Sequence, residues 1–232
     1  WLNDGINLLN KSDVSIVWGS TEFSANSYFE KAVRASTYGK KPLRTLPGTI
    51  LKSRVIPVIG HFIENVRAGE DADWMKRAET HNLSTTSNFS LLEYSGLEGI
   101  KLKSLIKKWY RNYHSAANLP YIRAHKDIYF YFISIFLILL AFNWNSLSYD
   151  SNISGWNISA LVYLPNITKI MTGTIGLVYI LFRIIYLPLK KGVGAQFFFN
   201  PFNFFIVLTI SFILDITKFI AFIHARISKI CK

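Results

Sequence analysis

The sequence predicts a mixed α/β domain followed by a basic amphipathic helix and two to three transmembrane helices. Three observations carry that prediction. Residues 1–127 hold 18 of the 26 Lys and Arg and 12 of the 14 Asp and Glu, leaving 8 and 2 for residues 128–232. In the polar half, strand-like and helix-like patterns alternate, as a layered α/β arrangement requires. In the apolar half, three runs approach or exceed the roughly 20 residues that a helix needs to cross a hydrocarbon core. Half of the 232 residues are hydrophobic and mean hydropathy is +0.24, which excludes a disordered chain and an ordinary water-soluble enzyme. The net charge of +12 is assigned to anionic headgroups and not to nucleic acid, because basic residues crowd just before the first apolar run.

The chain opens without an initiator Met or signal peptide, inside an amphipathic pattern in which Leu2, Ile6, Leu8 and Leu9 roughly keep one helical face. Such an opening is expected of a chain whose beginning is missing. Residues 13–24 alternate briefly and fit a buried strand. Residues 25–37 read as a helix, Tyr38 to Pro47 as a loop rich in basic and breaker residues, and Gly48 to Leu51 as a short strand. A second apolar run, Arg54 to Phe62, ends in Ile59-Gly60-His61-Phe62. The segment from Ala68 then opens with Gly69 and the acids Glu70, Asp71 and Asp73, a favourable helix N-terminus. This polar domain is placed at 1–97.

A basic helix and linker follow at 98–127. Leu102, Leu105, Ile106, Trp109 and Tyr113 share one face, ringed by Lys101, Lys103, Lys107, Lys108 and Arg111, which reads as an interfacial helix. The membrane region, 128–232, carries expected helices at about 128–144, 167–189 and 202–223. Tyr129, Tyr131, Trp144, Trp156 and Tyr186 sit at the run ends, as an aromatic belt does. Lys and Arg counts put the front end and the Lys190-Lys191 loop on the cytoplasmic side and the uncharged-by-base loop 145–166 outside. The third helix breaks that pattern, since a full crossing would send Arg226, Lys229 and Lys232 outside. It is therefore either re-entrant or interfacial, or an exception to the rule. Asp215 and Lys218, at i and i+3, either pair on one face or mark the helix end.

One ordered set of residues reaches a family. Leu46-Pro47-Gly48-Thr49, Arg54, Ile59-Gly60-x-Phe62-x-Glu64 and Gly69-Glu70-Asp71-x-Asp73-Trp74-x-x-Arg77 resemble the second half of family 2 glycosyltransferases, where a similar glycine–arginine–glycine segment precedes a Glu-Asp motif at a helix start. The resemblance covers residues 1–80 and extends loosely through the membrane hairpin. It implies the C-terminal part of a GT-A-like nucleotide-sugar domain, membrane-anchored and inverting. Asp71 would then be the general base, which takes the proton of the acceptor hydroxyl, with Glu70 positioning or tuning it. Asp73, Trp74, Arg77, Gly48 and Arg111 would support the acceptor side. Trp74 faces an acceptor or packs; Arg77 pairs with Asp73 at i+4.

The resemblance also implies a nucleotide-sugar donor, a lipid-linked or glycan acceptor, membrane lipids as partners, and Mg²⁺ or Mn²⁺ whose ligands are not in this chain. Asp71-Ala72-Asp73 occupies the base motif's position and is not read as the metal site. Lys108-x-x-Arg111-Asn112 departs at two positions from the Gln-x-x-Arg-Trp of processive synthases, which favours single-sugar transfer. Read without the family, Glu70-Asp71 is an acid-rich helix start, and the chain is a non-catalytic membrane protein with a small partner-binding domain.

The remaining signals are bland. His61, His81, His114, His125 and His224 share no ligand spacing. Sequons at Asn82, Asn88, Asn152, Asn157 and Asn166 read as chance matches. Lys190-Lys191-Gly192-Val193-Gly194 is a turn, not a phosphate loop, and the single Cys231 excludes a disulfide framework.

Overall fold

The computed structural model describes residues 1–11, 13–119 and 167–230. The expected helix at 128–144, the loop 145–166 with the sequons at Asn152, Asn157 and Asn166, and Cys231 lie outside the described residues. The architecture is mixed α/β with a small sheet and two helices long and apolar enough to cross a membrane.

Helix α1 (Leu2–Leu9) leads into strand β1 (Ile16–Phe23), helix α2 (Tyr28–Ser36) and strand β2 (Leu43–Leu51). Two helices follow, α3 (Val55–Ile59) and α4 (Glu70–Thr80), then strand β3 (Thr85–Tyr94) and helix α5 (Leu102–Ala116). The sheet order is β2-β1-β3, with β1 antiparallel to β2 and parallel to β3. The central strand is the buried one: Ile16, Val17 and Trp18 are at most 1% exposed. Trp18 meets Trp74 of α4 edge-on at 6.2 Å, and Val55, Ile59 and Ala78 complete that core.

Two expectations are corrected here. The segment read as a loop from Tyr38 to Pro47 supplies the first half of β2, which begins at Leu43. Pro47 masked it, yet β2 pairs on one side only, where a missing N–H is tolerated. Strand β3 was not anticipated at all, because Thr85-Thr86-Ser87-Asn88 carries no apolar alternation; the backbone pairing with β1 holds it, from Ile16↔Thr85 to Phe23↔Tyr94.

The apolar half begins with α6 (Ile167–Ile180), continues through a π-helical segment, Leu181–Tyr186, into α7 (Leu187–Lys190), and after a 3-10 turn, Ala195–Phe199, enters α8 (Pro201–Ile230). A shared core joins it to the α/β body. Ala32, Val33 and Ala35 of α2, Leu97, Leu105 of α5, Ile184, and Val207, Ile210 and Leu214 of α8 form one buried cluster. Part of the apolar face of α5, read from sequence as that of an interfacial helix, is turned inward: Leu105 is 1% exposed and Trp109 packs on the same cluster, while Leu102 stays exposed. The physical reason is the presence of α8, whose own apolar face offers α5 a protein partner.

Helix α2 is the keystone of the junction and is capped at both ends. At its start, Glu30 N donates to Ser27 Oγ at 3.3 Å, while Glu30 Oε2 accepts from the Asn26 and Ser27 amides at 2.8 and 3.1 Å, a reciprocal capping box. Glu30 Oε1 also accepts from Gly99 N at 3.0 Å, tying the approach to α5 onto α2. These amides, those of Asn26 and Ser27 first, pull the Glu30 carboxyl down to about 2 from the 4.5 of an ordinary glutamate. Because the folded value is the lower one, the carboxylate stabilises the fold fully above pH 4.5, and that contribution is lost as pH falls from there toward about 2. Glu30→Gln is expected to remove this acid limb from the stability–pH curve of the solubilised chain. Ser27→Ala is expected to cost about 1 kcal/mol in denaturant titration.

Candidate functional site

Helix α4 gathers the acidic residues and sorts them by face. Asp71 is exposed, its Oδ1 accepting from Ala72 N at 2.7 Å. Asp73, two residues on and hence on nearly the opposite side of a helix, is buried at 4% exposure. Its Oδ2 accepts from Arg77 Nε at 2.9 Å, and Arg77 donates onward to the carbonyls of Ile59 and His61 at 2.6 and 2.7 Å. Trp74, 3% exposed, donates from Nε1 to Gly60 O at 2.9 Å and lies 5.5 Å from Phe62. Of the two alternatives for Trp74, packing is therefore what is observed. Asp73, Trp74 and Arg77 act together as a strut between α4 and the 59–62 segment, and they leave Asp71 facing outward at the helix start. Glu70 precedes it with Oε2 buried and without a hydrogen-bond partner among the described residues.

The loop leading into α4 borders a cavity of about 540 Å³ lined by Asn65, Arg67, Tyr110, Arg111, His114 and His224, among others. Three elements build it: the 65–67 loop, α5 and α8. Arg67 N donates to Ser115 Oγ at 3.0 Å, fastening the loop to α5. His224 Nδ1 lies 2.5 Å from Tyr110 Oη, and the His114 and His224 rings are 5.0 Å apart. No carboxylate lines the cavity among the described residues. Arg67 and Glu70 are separated by three Cα–Cα steps, at most about 11 Å, so the cationic cavity and the acidic helix start are neighbours by construction.

Arg111 lines the cavity beside the α4 approach, whereas Gly48 has a different setting. It stands at φ +78 in β2, its carbonyl accepts from Trp1 Nε1 at 3.3 Å, and a Cβ there would meet Leu92 Cδ1 at 2.3 Å. Its role is to let α1 and β3 close over β2. Arg67, Tyr110, His114 and His224 escaped sequence reading, since 110 residues separate the two histidines and nothing local links them. Among the described residues no group of three His, Cys, Asp or Glu could hold a metal ion. Asp71 and Asp73 diverge around α4, and Asp73 is taken by Arg77, so this pair does not fit the divalent ion that the resemblance implies.

No family model matches the chain, and neither the curated proteins nor the solved structures contain a match.

The strut and the exposed acid separate experimentally. Arg77→Met leaves the Asp73 carboxylate buried without its cation, an expected loss of about 2–3 kcal/mol. Asp71→Asn touches no partner beyond its own turn and should change stability by less than about 0.5 kcal/mol. Paired thermal-unfolding measurements check both.

Proposed function

We propose that this chain is the acceptor-side and membrane-bound part of an inverting, GT-A-like glycosyltransferase. It moves a sugar from a nucleotide-sugar to a lipid-linked or polysaccharide acceptor at the cytoplasmic face of a membrane. The observation that carries the reading is the exposed Asp71 carboxylate at the head of a helix whose next turn is pinned by Asp73, Trp74 and Arg77. A general base needs that combination: a carboxylate open to a substrate proton, on a backbone that does not move.

In the proposed step, the acceptor hydroxyl oxygen attacks the anomeric carbon as the bond from that carbon to the diphosphate breaks. The hydroxyl proton passes to Asp71, and the nucleoside diphosphate leaves with the bonding pair. Glu70, adjacent to Asp71 with its Oε2 enclosed, positions or tunes the base and does not touch the acceptor. A phosphate linking the acceptor to its lipid suits the Arg67–Arg111–His114–His224 cavity, where planar guanidinium groups match phosphate oxygens. No step is assigned to a metal ion.

The test uses the intact protein in membranes, with release of nucleoside diphosphate followed over a panel of nucleotide-sugars in Mg²⁺ or Mn²⁺. Asp71→Asn is expected to lower turnover by about 10²–10⁴-fold while nucleotide-sugar binding persists. Undiminished turnover removes Asp71 from the base role. Absence of release with every donor, from folded protein, favours a non-catalytic partner-binding domain.

A further inference from the structure

Helix α8 has the length and apolarity of a membrane span, with mean hydropathy 2.2 over an 18-residue stretch within Pro201–Lys229, but its packing is that of a helix lying on a surface. From Val207 to Ala225, about 27 Å along the axis, one face is buried throughout. Val207, Ile210 and Leu214 pack with Ala32, Val33 and Ala35 of α2 and with Leu105 of α5; Phe222 and Ala225 pack with Ala117. Three polar residues of α8 lie on that same side: Asn203, Ser211 and Thr217 are 8%, 0% and 8% exposed. The helices that cover this face are charged. Exposed Lys103, Lys107 and Arg111 stand on α5, and exposed Lys31 on α2. A crossing α8 would carry these charges into a hydrocarbon core about 30 Å thick, where each costs at least about 2.5 kcal/mol.

The opposite face is one apolar stripe. Phe202, Phe205, Phe212, Ile216, Ile220 and Ile227 are 43–72% exposed, at helical spacing, with Thr209 in the row and His224 at its edge, turned to Tyr110 of α5. The stripe runs about 37 Å. It also continues into other exposed apolar groups: Phe199 at 80%, and Leu177, Val178, Leu181 and Phe182 before it at 50–58%. Helix α6 behaves differently from α8, since a Cβ added at Gly173 or Gly176 would meet nothing within 4 Å. Basic residues stand at both ends of α8, Lys190 and Lys191 before it and Arg226 and Lys229 in its last turns.

We infer that α8 does not cross the bilayer but lies in its plane, with the Phe202–Ile227 stripe sunk in the hydrocarbon of one leaflet and the α/β body on the aqueous side. An anionic lipid surface is the occupant that matches an apolar stripe with basic ends. This arrangement keeps Lys190, Lys191, Arg226 and Lys229 on one side, which removes the conflict with the positive-inside pattern. It leaves α6 as the described helix that departs from the body into the membrane. The inference depends on packing alone and stands whether or not the chain is an enzyme.

The test uses the full chain with Cys231→Ser, reconstituted in mixed phosphatidylcholine and phosphatidylglycerol vesicles. Single cysteines are placed at exposed sites flanking α8, Gln196→Cys and Lys229→Cys, and on the stripe, Phe205→Cys, Phe212→Cys and Ile220→Cys. A membrane-impermeant maleimide is expected to label Gln196→Cys and Lys229→Cys in equal fractions from outside the vesicles. Complementary fractions, one end outside where the other is inside, overturn the inference. Nitroxides on the three stripe positions are expected at one common depth, about 5–10 Å below the headgroups. A depth that progresses from one headgroup layer to the other overturns it. So do nitroxides shielded from both oxygen and aqueous relaxants, which would mean that residues 128–144 or a second copy covers the stripe.

Discussion

The junction between the α/β body and the apolar helices depends on one carboxylate. Asp215 of α8 accepts from Arg183 Nε and Nη2 at 2.7 and 3.1 Å, from Lys218 Nζ at 2.8 Å and from Tyr179 Oη at 3.0 Å. Each charged partner is 11–15% exposed, so none is neutralised by bulk water. Burying one anion against two cations is tolerated only when hydrogen bonds satisfy the remaining donors. Arg183 also reaches the α/β body: Nη1 donates to Ser36 O at 3.0 Å, and Lys191 Nζ donates to Thr37 O. These are the last carbonyls of α2, unpaired by the helix itself and at the negative end of its dipole. The cluster therefore satisfies α2 and welds α6, α8 and α2 together. Arg183 reaches both because it falls in the π-helical segment Leu181–Tyr186, where the wider turn redirects side chains relative to a regular helix. Gly39 completes the seam. It sits at φ +81, and a Cβ there would meet Lys191 Cβ at 2.3 Å, so the 190s loop closes onto α2 only over a residue without a side chain.

The candidate site inherits its geometry from this weld. The cationic cavity needs His224 of α8 opposite Tyr110 and His114 of α5, and α8 meets α5 in register because Leu214 and Asp215 are fixed against α2 and Arg183. Lys218 extends the same logic. It binds Asp215 and lies 4.9 Å from the Trp109 ring and 5.6 Å from that of Tyr113, so one ammonium links the buried anion to the aromatic face of α5. The acidic side of the site is set separately, by the strut from α4 to the 59–62 carbonyls. Two rigid pieces, each with its own ion pair, meet along the 65–67 loop, where Arg67 is fastened to Ser115.

Local periodicity explains which of these features the sequence displayed. Strand β1, helices α1, α2 and α5 and the start of α4 each repeat a pattern within ten or so residues. The Asp73–Arg77 and Asp215–Lys218 pairs follow from i, i+4 and i, i+3 spacing alone. Strand β3 and the first half of β2 lack such a signature, because Thr85–Asn88 and the Pro47 region are held by partner strands and not by their own composition. Arg183 stands 32 residues from Asp215, and His114 stands 110 from His224. Pairings at those distances are created by chain topology and leave no mark in any sequence window.

Helix α8 shows why apolarity alone does not identify a membrane crossing. A helix that turns one face to a protein core and the other to lipid is apolar all round, like one surrounded by lipid. Both satisfy the same hydropathy test. What separates them is where the exceptions to apolarity fall. Asn203, Ser211, Asp215, Thr217 and Lys218 are all buried or nearly so on the body-facing side, where α2, α5 and Arg183 cover them. The outward row holds a single threonine among its aliphatic and aromatic residues. Such a division requires two different neighbours along the whole length of the helix, one of them the folded body. A neighbour of that kind extends along 27 Å of a true crossing helix only if it enters the membrane itself, and the lysines of α2 and α5 oppose that.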